Sequence, residues 1–372
     1  MKDLFGIKGK LGFGCMRMKN EGGKVDLDEF CKMVDTFIEN GFNYFDTARG
    51  YLGGDSEKAI CACLTSRYPR EAFVLTDKLS ENFFKTEADI RPYFEDQLKS
   101  CGVSYFDFYL MHAQNRNNYP KYRACRAYEN ALAFLKEGKI KHFGISFHDT
   151  ADVLEQILSD YPQIEVVQLQ FNYLDYEDNA VQSRRCYEVC RAFGKPVLVM
   201  EPVKGGRLAK NLSDAAKAEL DLLQGGSYAS YAIRYAAGFE GVLSVLSGME
   251  NVAMVADNVS YMKNFKPLDA REQAAVSRVA VLLRGENTVP CTACKYCTEV
   301  CPVGIGIPEI ISTINSMRTS HSWSAKHYYK IFTGNAPRAS ACIACGKCEK
   351  SCPQHLPIRE LMREATSLFE KE

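Results

Sequence analysis

A (β/α)8 barrel followed by a small, mainly helical C-terminal domain is the fold that the sequence predicts, and two patterns predict it. Over residues 11–264, eight short β-rich apolar runs alternate with amphipathic helical stretches, the pattern of a parallel sheet with helical crossovers. Beyond them, residues 291–353 carry the same cysteine spacing twice. The expected division is a barrel over 1–265, a connecting helix over 266–285 and a cysteine-rich domain over 286–372. A chain of 372 residues is too long for one average domain and accommodates a large barrel with an appendage.

The strands read as 11–15, 44–47, 73–76, 106–111, 142–146, 166–170, 197–200 and 243–246. Helical stretches fall near 27–40, 56–68, 87–100, 122–137, 150–159, 179–193, 227–237 and 252–261. Eight pairs in succession is the count of a closed barrel. An open doubly wound sheet is the competing architecture, and it normally shows a G-x-G-x-x-G turn after its first strand. Residues 11–16 read LGFGCM, which holds only G-x-G with no helix behind it. Residues 268–284 read as one more helix of about four turns, long enough at ~1.5 Å per residue to climb the barrel again. It is expected to deliver the C-terminal domain near the mouth of the barrel.

Lys plus Arg and Asp plus Glu number 46 each, so no charge imbalance points to nucleic acid or to an anionic membrane. The first ten residues lack the apolar core of a signal peptide, and no apolar run reaches the ~18–20 residues that span a bilayer. A cytoplasmic protein is expected.

Of 16 cysteines, eight stand in two copies of C-x2-C-x2-C-x3-C-P. The first is Cys291, Cys294, Cys297 and Cys301 before Pro302; the second is Cys342, Cys345, Cys348 and Cys352 before Pro353. This is the spacing of bacterial-type iron–sulfur ligation. Three thiolates two residues apart can wrap three corners of one cubane, while the fourth points at a different one. A pair of zinc sites is the alternative, but a tetrahedral ion leaves the third evenly spaced Cys and the terminal Cys-Pro unexplained.

The segment resembles a two-cluster ferredoxin domain. That resemblance implies two [4Fe–4S] clusters with crossed ligand sets, Cys291, Cys294, Cys297 and Cys352 for one, and Cys342, Cys345, Cys348 and Cys301 for the other. The chain departs from a compact ferredoxin in the insert 303–341, whose aromatic residues Trp323, Tyr328, Tyr329 and Phe332 are expected to pack or to form a docking surface. Cys31, Cys61, Cys63, Cys101, Cys125, Cys186 and Cys190 read as reduced thiols of the core or of helix faces.

In a parallel barrel the active site lies just past the carboxyl ends of the strands. The second strand ends in Asp46-Thr47-Ala48-Arg49-Gly50-Tyr51, the third in Asp77-Lys78 and the fourth in Met111-His112. A lone Tyr, Lys or His is ordinary at such a place; the set together points to one site. The motif Asp46-Thr47-Ala48-x-x-Tyr51 followed by Ser56-Glu57, then Lys78 and His112, resembles the aldo/keto reductase family over roughly residues 5–265.

The resemblance implies reduction of a small-molecule carbonyl with NADP or NAD as cofactor. Tyr51 is then the proton donor, Lys78 depresses its pKa, Asp46 orients Lys78, and His112 polarises the carbonyl. A phenol with an unperturbed pKa near ~10 is a poor acid at neutral pH, and a nearby ammonium lowers that value. The His112 N–H and the Tyr51 O–H together would stabilise charge developing on the substrate oxygen.

The family's nicotinamide site maps onto Cys15, Ser146, Gln168, Met200, Gly205, Gly206, Arg207, Gly248 and Asn258, and here the chain departs from its relatives. Phe147 follows Ser146 where an Asn is usual, and Met200-Glu201-Pro202 stands where many members place a stacking Tyr. Met254 occupies the place where an Arg often binds the 2′-phosphate of NADP, which removes a bidentate partner. Lys204-Gly205-Gly206-Arg207 offers backbone N–H groups and two cations to a phosphate. Cys15 is expected to line the mouth or to act as a redox thiol. His142 and His148 flank the fifth strand as substrate-facing or surface residues, and Tyr173 and Tyr176 are rim packing.

These departures leave a second chemistry open, in which a flavin in the barrel receives single electrons from the clusters, directly or from a redox partner protein. A non-enzymatic, redox-responsive binding subunit is a third.

Overall fold

In the computed structural model, eight parallel strands close into a barrel in which each pairs with its neighbours in sequence and the last returns to the first. They are β1 (Leu11–Gly14), β2 (Tyr44–Asp46), β3 (Val74–Leu79), β4 (Phe106–Gln114), β5 (Ile140–Phe147), β6 (Val166–Gln170), β7 (Val197–Met200) and β8 (Val242–Ser247). The structure describes residues 4–371 apart from 22, 23, 211, 224, 286, 290, 292, 294, 321, 322 and 353. Cys294 therefore lies outside the described residues.

The barrel is filled by side chains rather than hollow. Tyr44, Phe108, Leu110, Val166, Leu198 and Leu246 meet inside it, and Phe5 and Ile7 close its floor. Small residues make room for the large ones: a Cβ on Gly12 would lie 2.6 Å from the Tyr44 ring, and one on Gly144 would lie 2.5 Å from the Val166 carbonyl oxygen. Alternate residues such as Phe13, Phe45 and Val167 point outward into the layer of helices. His142, a substrate-facing candidate by sequence, sits at this closed end, paired with Glu165 at 2.9 Å and edge-on to Phe5.

β4 and β5 outrun their expected ends because their register shifts between Met111 and Gln114, so that Gln114 pairs with Phe147. Ala113 takes φ 51° in this bulge. Bulges of this kind re-aim a side chain beside a site, and His112 is its neighbour. One short antiparallel pair, Asn20–Glu21 with Lys24–Val25, has no counterpart in the sequence reading.

The reading of Cys31 and Cys63 as separate reduced thiols is corrected. The two are disulfide-bonded, with Cα atoms 4.7 Å apart. Helix Leu27–Glu39 lies against the turn Cys61–Thr65, which brings together residues 32 apart in the chain. No local pattern announces that meeting.

Helix Ala270–Gly285 buries Ala275, Val276, Val279 and Leu283 against Leu220 and Tyr231. At its end Arg284 donates to the carbonyls of Leu174 (2.8 Å) and Tyr173 (3.2 Å), in the loop after β6. The chain thus leaves the barrel on its carboxyl-end face. The C-terminal domain packs Ile307, Ile310, Ile311 and Ile314 against Ile358, Leu361 and Met362.

Helix Trp323–Thr333, inside the insert, presents two faces. Tyr328 joins Ala180 and Val181 of the barrel with Phe332 beside it, whereas Tyr329 stacks on Phe369 at 4.6 Å. Asn117 Nδ2 donates to the Ile331 carbonyl at 2.6 Å, and Arg207 Nε to the Thr319 carbonyl at 3.0 Å. Among the described residues no helix is long and apolar enough to cross a membrane.

Candidate active site and cluster cavities

The carboxyl ends of β2, β3 and β4 converge on one ammonium. Lys78 Nζ donates to Asp46 Oδ1 at 2.5 Å, to the Thr47 carbonyl at 2.8 Å and to Tyr51 Oη at 3.3 Å. A lysine has three N–H donors, so all three have partners. Asp46 gives its other oxygen to Gln168 Nε2 at 2.9 Å. Lys78 and Asp46 are buried, so each charge depends on the other.

The Tyr51 and His112 rings meet edge to face, with centroids 5.9 Å apart. Ser80 Oγ pairs with His112 Nδ1 at 2.6 Å, which leaves Nε2 as the nitrogen available to a substrate. The bulged Ala113 N–H is held by Ser146 Oγ at 2.7 Å. Ser80 and the bulge are not legible in the sequence as parts of this site, and Thr47 is legible only as a member of its motif, not for the carbonyl it offers Lys78. A hydroxyl two residues after Lys78, on the same side of β3, is the sequence signal that could have marked Ser80.

At the Tyr51 phenol burial outweighs Lys78, which acts in the expected direction. Burial raises the Tyr51 phenol above its ordinary value, Lys78 pulls it down and Asp46 pushes it up again, with a net rise. The phenol is therefore protonated at neutral pH, with the ammonium beside it ready to stabilise its anion. Burial also weighs against the Lys78 ammonium, but Asp46, by charge and by hydrogen bond, helps to outweigh it and keep it charged. His112 is pushed down to about 3 by burial, then by Lys78 and His327, and it stays neutral.

His148 and His327 are likewise held down, the latter to about 4, chiefly by burial. An unfolded chain protonates these rings near ~6.5. The neutral rings therefore favour the folded state fully above pH ~6.5, and that contribution drains away as pH falls towards the folded values. We expect thermal stability to drop between pH 6.5 and 4.5, by roughly 1 kcal/mol per ring for each pH unit. His148→Phe should make the drop shallower; equal slopes in melting curves of the two proteins would count against this account.

The residues mapped to a nicotinamide site separate in the structure. Ser146 and Gln168 stand beside the tetrad but are engaged with Ala113 and Asp46. Met200 ends β7, half-buried. The two-cation cradle is not formed: Lys204 is buried in an ion pair with Asp175, and Arg207 reaches the Thr319 carbonyl. Asn258 spends its amide on the Met254 carbonyl and on Tyr261.

Cys15 is fully buried with its Sγ towards the Phe13 carbonyl, and burial and then Asp46 raise its thiol, which disfavours the thiolate. In place of these cations the structure brings Arg17 to the mouth. It lies 4.0 Å from Glu201 and against Gly248, where a Cβ would stand 2.6 Å from its Cγ; Gly205 is its other neighbour.

Two cavities in the C-terminal domain sort the cysteines. One is lined by Cys301, Cys342, Cys345 and Cys348 with Ile305 and Ile307. Another is lined by Cys291, Cys297 and Cys352 with Ile311 and Leu356. The fourth cysteine of each motif thus lies with cysteines of the other, Cys301 with Cys342, Cys345 and Cys348, and Cys352 with Cys291 and Cys297. Sulfur donors in an apolar shell suit iron–sulfur clusters, and Cys301 Sγ also accepts the Ile305 N–H at 3.4 Å.

Residues 290–356 match the 4Fe-4S dicluster domain. L-galactose dehydrogenase of Arabidopsis thaliana is 24% identical over 291 residues, covering 73% of this chain and 90% of that protein. Among solved structures, the holo form of an aldo-keto reductase from Bacillus halodurans superposes with a TM-score of 0.59 at 23% identity, over 73% of this chain and 91% of the other. An aldo/keto reductase from Klebsiella pneumoniae in complex with NADP and acetate gives 0.59 at 21%, with the same coverage. At such identities the likeness carries the fold. The match of residues 10–280 to the aldo/keto reductase family carries more: this chain belongs to that family and is an oxidoreductase with a 4Fe-4S domain attached.

Proposed function

We propose that the protein reduces the carbonyl of a small molecule with a nicotinamide cofactor, and that Tyr51 delivers the proton. One observation carries this: Lys78 divides its three hydrogen bonds among Asp46, Thr47 and Tyr51, so a protonated phenol stands against a fixed positive charge. The substrate oxygen binds between Tyr51 Oη and His112 Nε2. A bound nicotinamide supplies the hydride to the carbonyl carbon. As charge builds on the oxygen, Tyr51 hands over its proton, and the phenolate left behind is held by Lys78. Asp46, braced by Gln168, keeps Lys78 charged and aimed. His112, neutral, donates an N–H without bringing a competing charge.

Arg17 and the backbone at Gly205 and Gly248 would hold the cofactor's phosphates, with Ser146 and Gln168 beside its nicotinamide. Two [4Fe–4S] clusters would be held by Cys301, Cys342, Cys345 and Cys348, and by Cys291, Cys297 and Cys352 with Cys294.

NADH should serve better than NADPH. Met254 offers no guanidinium, and Glu29 Oε1 accepts the Val252 N–H at 2.9 Å, so the first turn of helix Val252–Met262 already meets a carboxylate. With protein purified without air and a panel of aldehydes, kcat/KM for NADH should exceed that for NADPH by about tenfold or more, the scale of one lost charged partner. A preference for NADPH would overturn the assignment of that turn. No oxidation of either cofactor would overturn hydride transfer.

A second reading is favoured by the seat of the C-terminal domain on the mouth face, where Asn117 and Arg207 bind it. There the clusters feed electrons to the barrel, and dithionite-reduced protein would reduce substrate with no nucleotide present.

A further inference from the structure

His148 Nδ1 and His327 Nε2 are buried and have no hydrogen-bond partner among the described residues. A buried polar atom left unpaired costs about 1–3 kcal/mol, and sites that keep one are commonly sites that hold a ligand. The two come from different domains. His148 follows β5 and is only 8% exposed; its own N–H is anchored on the Gln114 carbonyl at 2.9 Å. His327 rides on helix Trp323–Thr333, between the two cysteine motifs, stacked on Trp323 at 4.6 Å.

The imidazoles meet edge-on, with centroids 5.1 Å apart. Tyr328, the next residue, is seated between Ala180 and Val181, and Asn117 binds the Ile331 carbonyl, so the helix holds His327 in place. The His148 backbone N–H bonds the Gln114 carbonyl, two residues beyond His112 on the paired strand, and His327 touches the His148 ring, which puts all three on the carboxyl-end face.

We propose that His148 and His327 bind a hydroxyl group of the substrate beside the reacting carbonyl, so that the segment joining the two cluster motifs completes the barrel's active site. The substrate class is then a hydroxylated aldehyde or ketone. A hydroxyl both donates and accepts, which suits two uncharged rings that each present a buried nitrogen without a partner. A carboxylate would call for a cation, and the guanidinium of Arg116 nearby is taken up by Asp149. The inference rests on carbonyl reduction only for the identity of the reacting group.

The test uses an isosteric pair, hydroxyacetone and butanone, which differ by a hydroxyl in place of a methyl. Dissociation constants are measured by saturation-transfer NMR on anaerobic full-length protein with its clusters, and turnover with NADH is measured in parallel. Wild type should bind hydroxyacetone at least tenfold more tightly than butanone. His327→Phe, which keeps the stack on Trp323, should bring that ratio to within twofold of one, and His327→Gln should restore part of it. If the Phe variant loses its cluster absorbance, His148→Phe is read in the same way.

Equal binding of the pair by wild type, or an unchanged ratio in the variants, overturns the subsite. A ratio that collapses as expected without any turnover supports the subsite and removes hydride transfer. Turnover with no difference between the pair does the reverse.

Discussion

Tyr51→Phe should lower kcat for the proposed carbonyl reduction by about 10³-fold, within the ~10²–10⁴ that a positioned general acid contributes, and should leave the fold standing. The phenyl ring keeps its edge contact with His112, and Lys78 keeps two of its three acceptors, Asp46 and the Thr47 carbonyl. Only the proton is lost. Replacing Lys78 would be a poorer test, because it strands the Asp46 carboxylate in a buried place and costs stability as well as rate. Single-turnover rates, with nucleotide affinity measured alongside, separate the two effects. A variant retaining a tenth of kcat would remove Tyr51 as the acid.

With two cubanes bound as proposed, Cys301→Ser should halve the iron content, from about eight per chain to about four. The cluster lost should be that of the second motif, because Cys301 shares its cavity with Cys342, Cys345 and Cys348. A pair of double variants decides between crossed and sequential ligation. Cys301→Ser with Cys342→Ser strikes one cluster if ligation is crossed and should also leave about four irons, whereas Cys301→Ser with Cys297→Ser strikes both. If ligation were sequential the two results would exchange. Iron and sulfide analysis with the spin count of the reduced protein gives the answer.

Much of this molecule can be read along the chain. Strands such as Val166–Gln170 and Val197–Met200 stand at their expected ends, because a buried parallel strand writes itself as a local apolar run. Asp46, Lys78 and His112 meet because consecutive parallel strands put their carboxyl ends on one face, so three separate motifs need only the topology to converge. The crossed cavities follow from two equal motifs, each too short to enclose a cluster alone.

What the residues alone could not disclose lies in pairings whose partners are distant. The sequence by itself determined the barrel, its strand-end polar residues and the doubled cysteine spacing, since each is encoded in a few neighbouring positions. Tertiary structure alone decided that Cys31 bonds Cys63, that Lys204 pairs with Asp175 while Arg207 binds the Thr319 carbonyl, and that His327 reaches His148 from the other domain. It decided the sign of the Tyr51 shift as well, because burial outweighs a neighbouring charge only once the packing around both is complete.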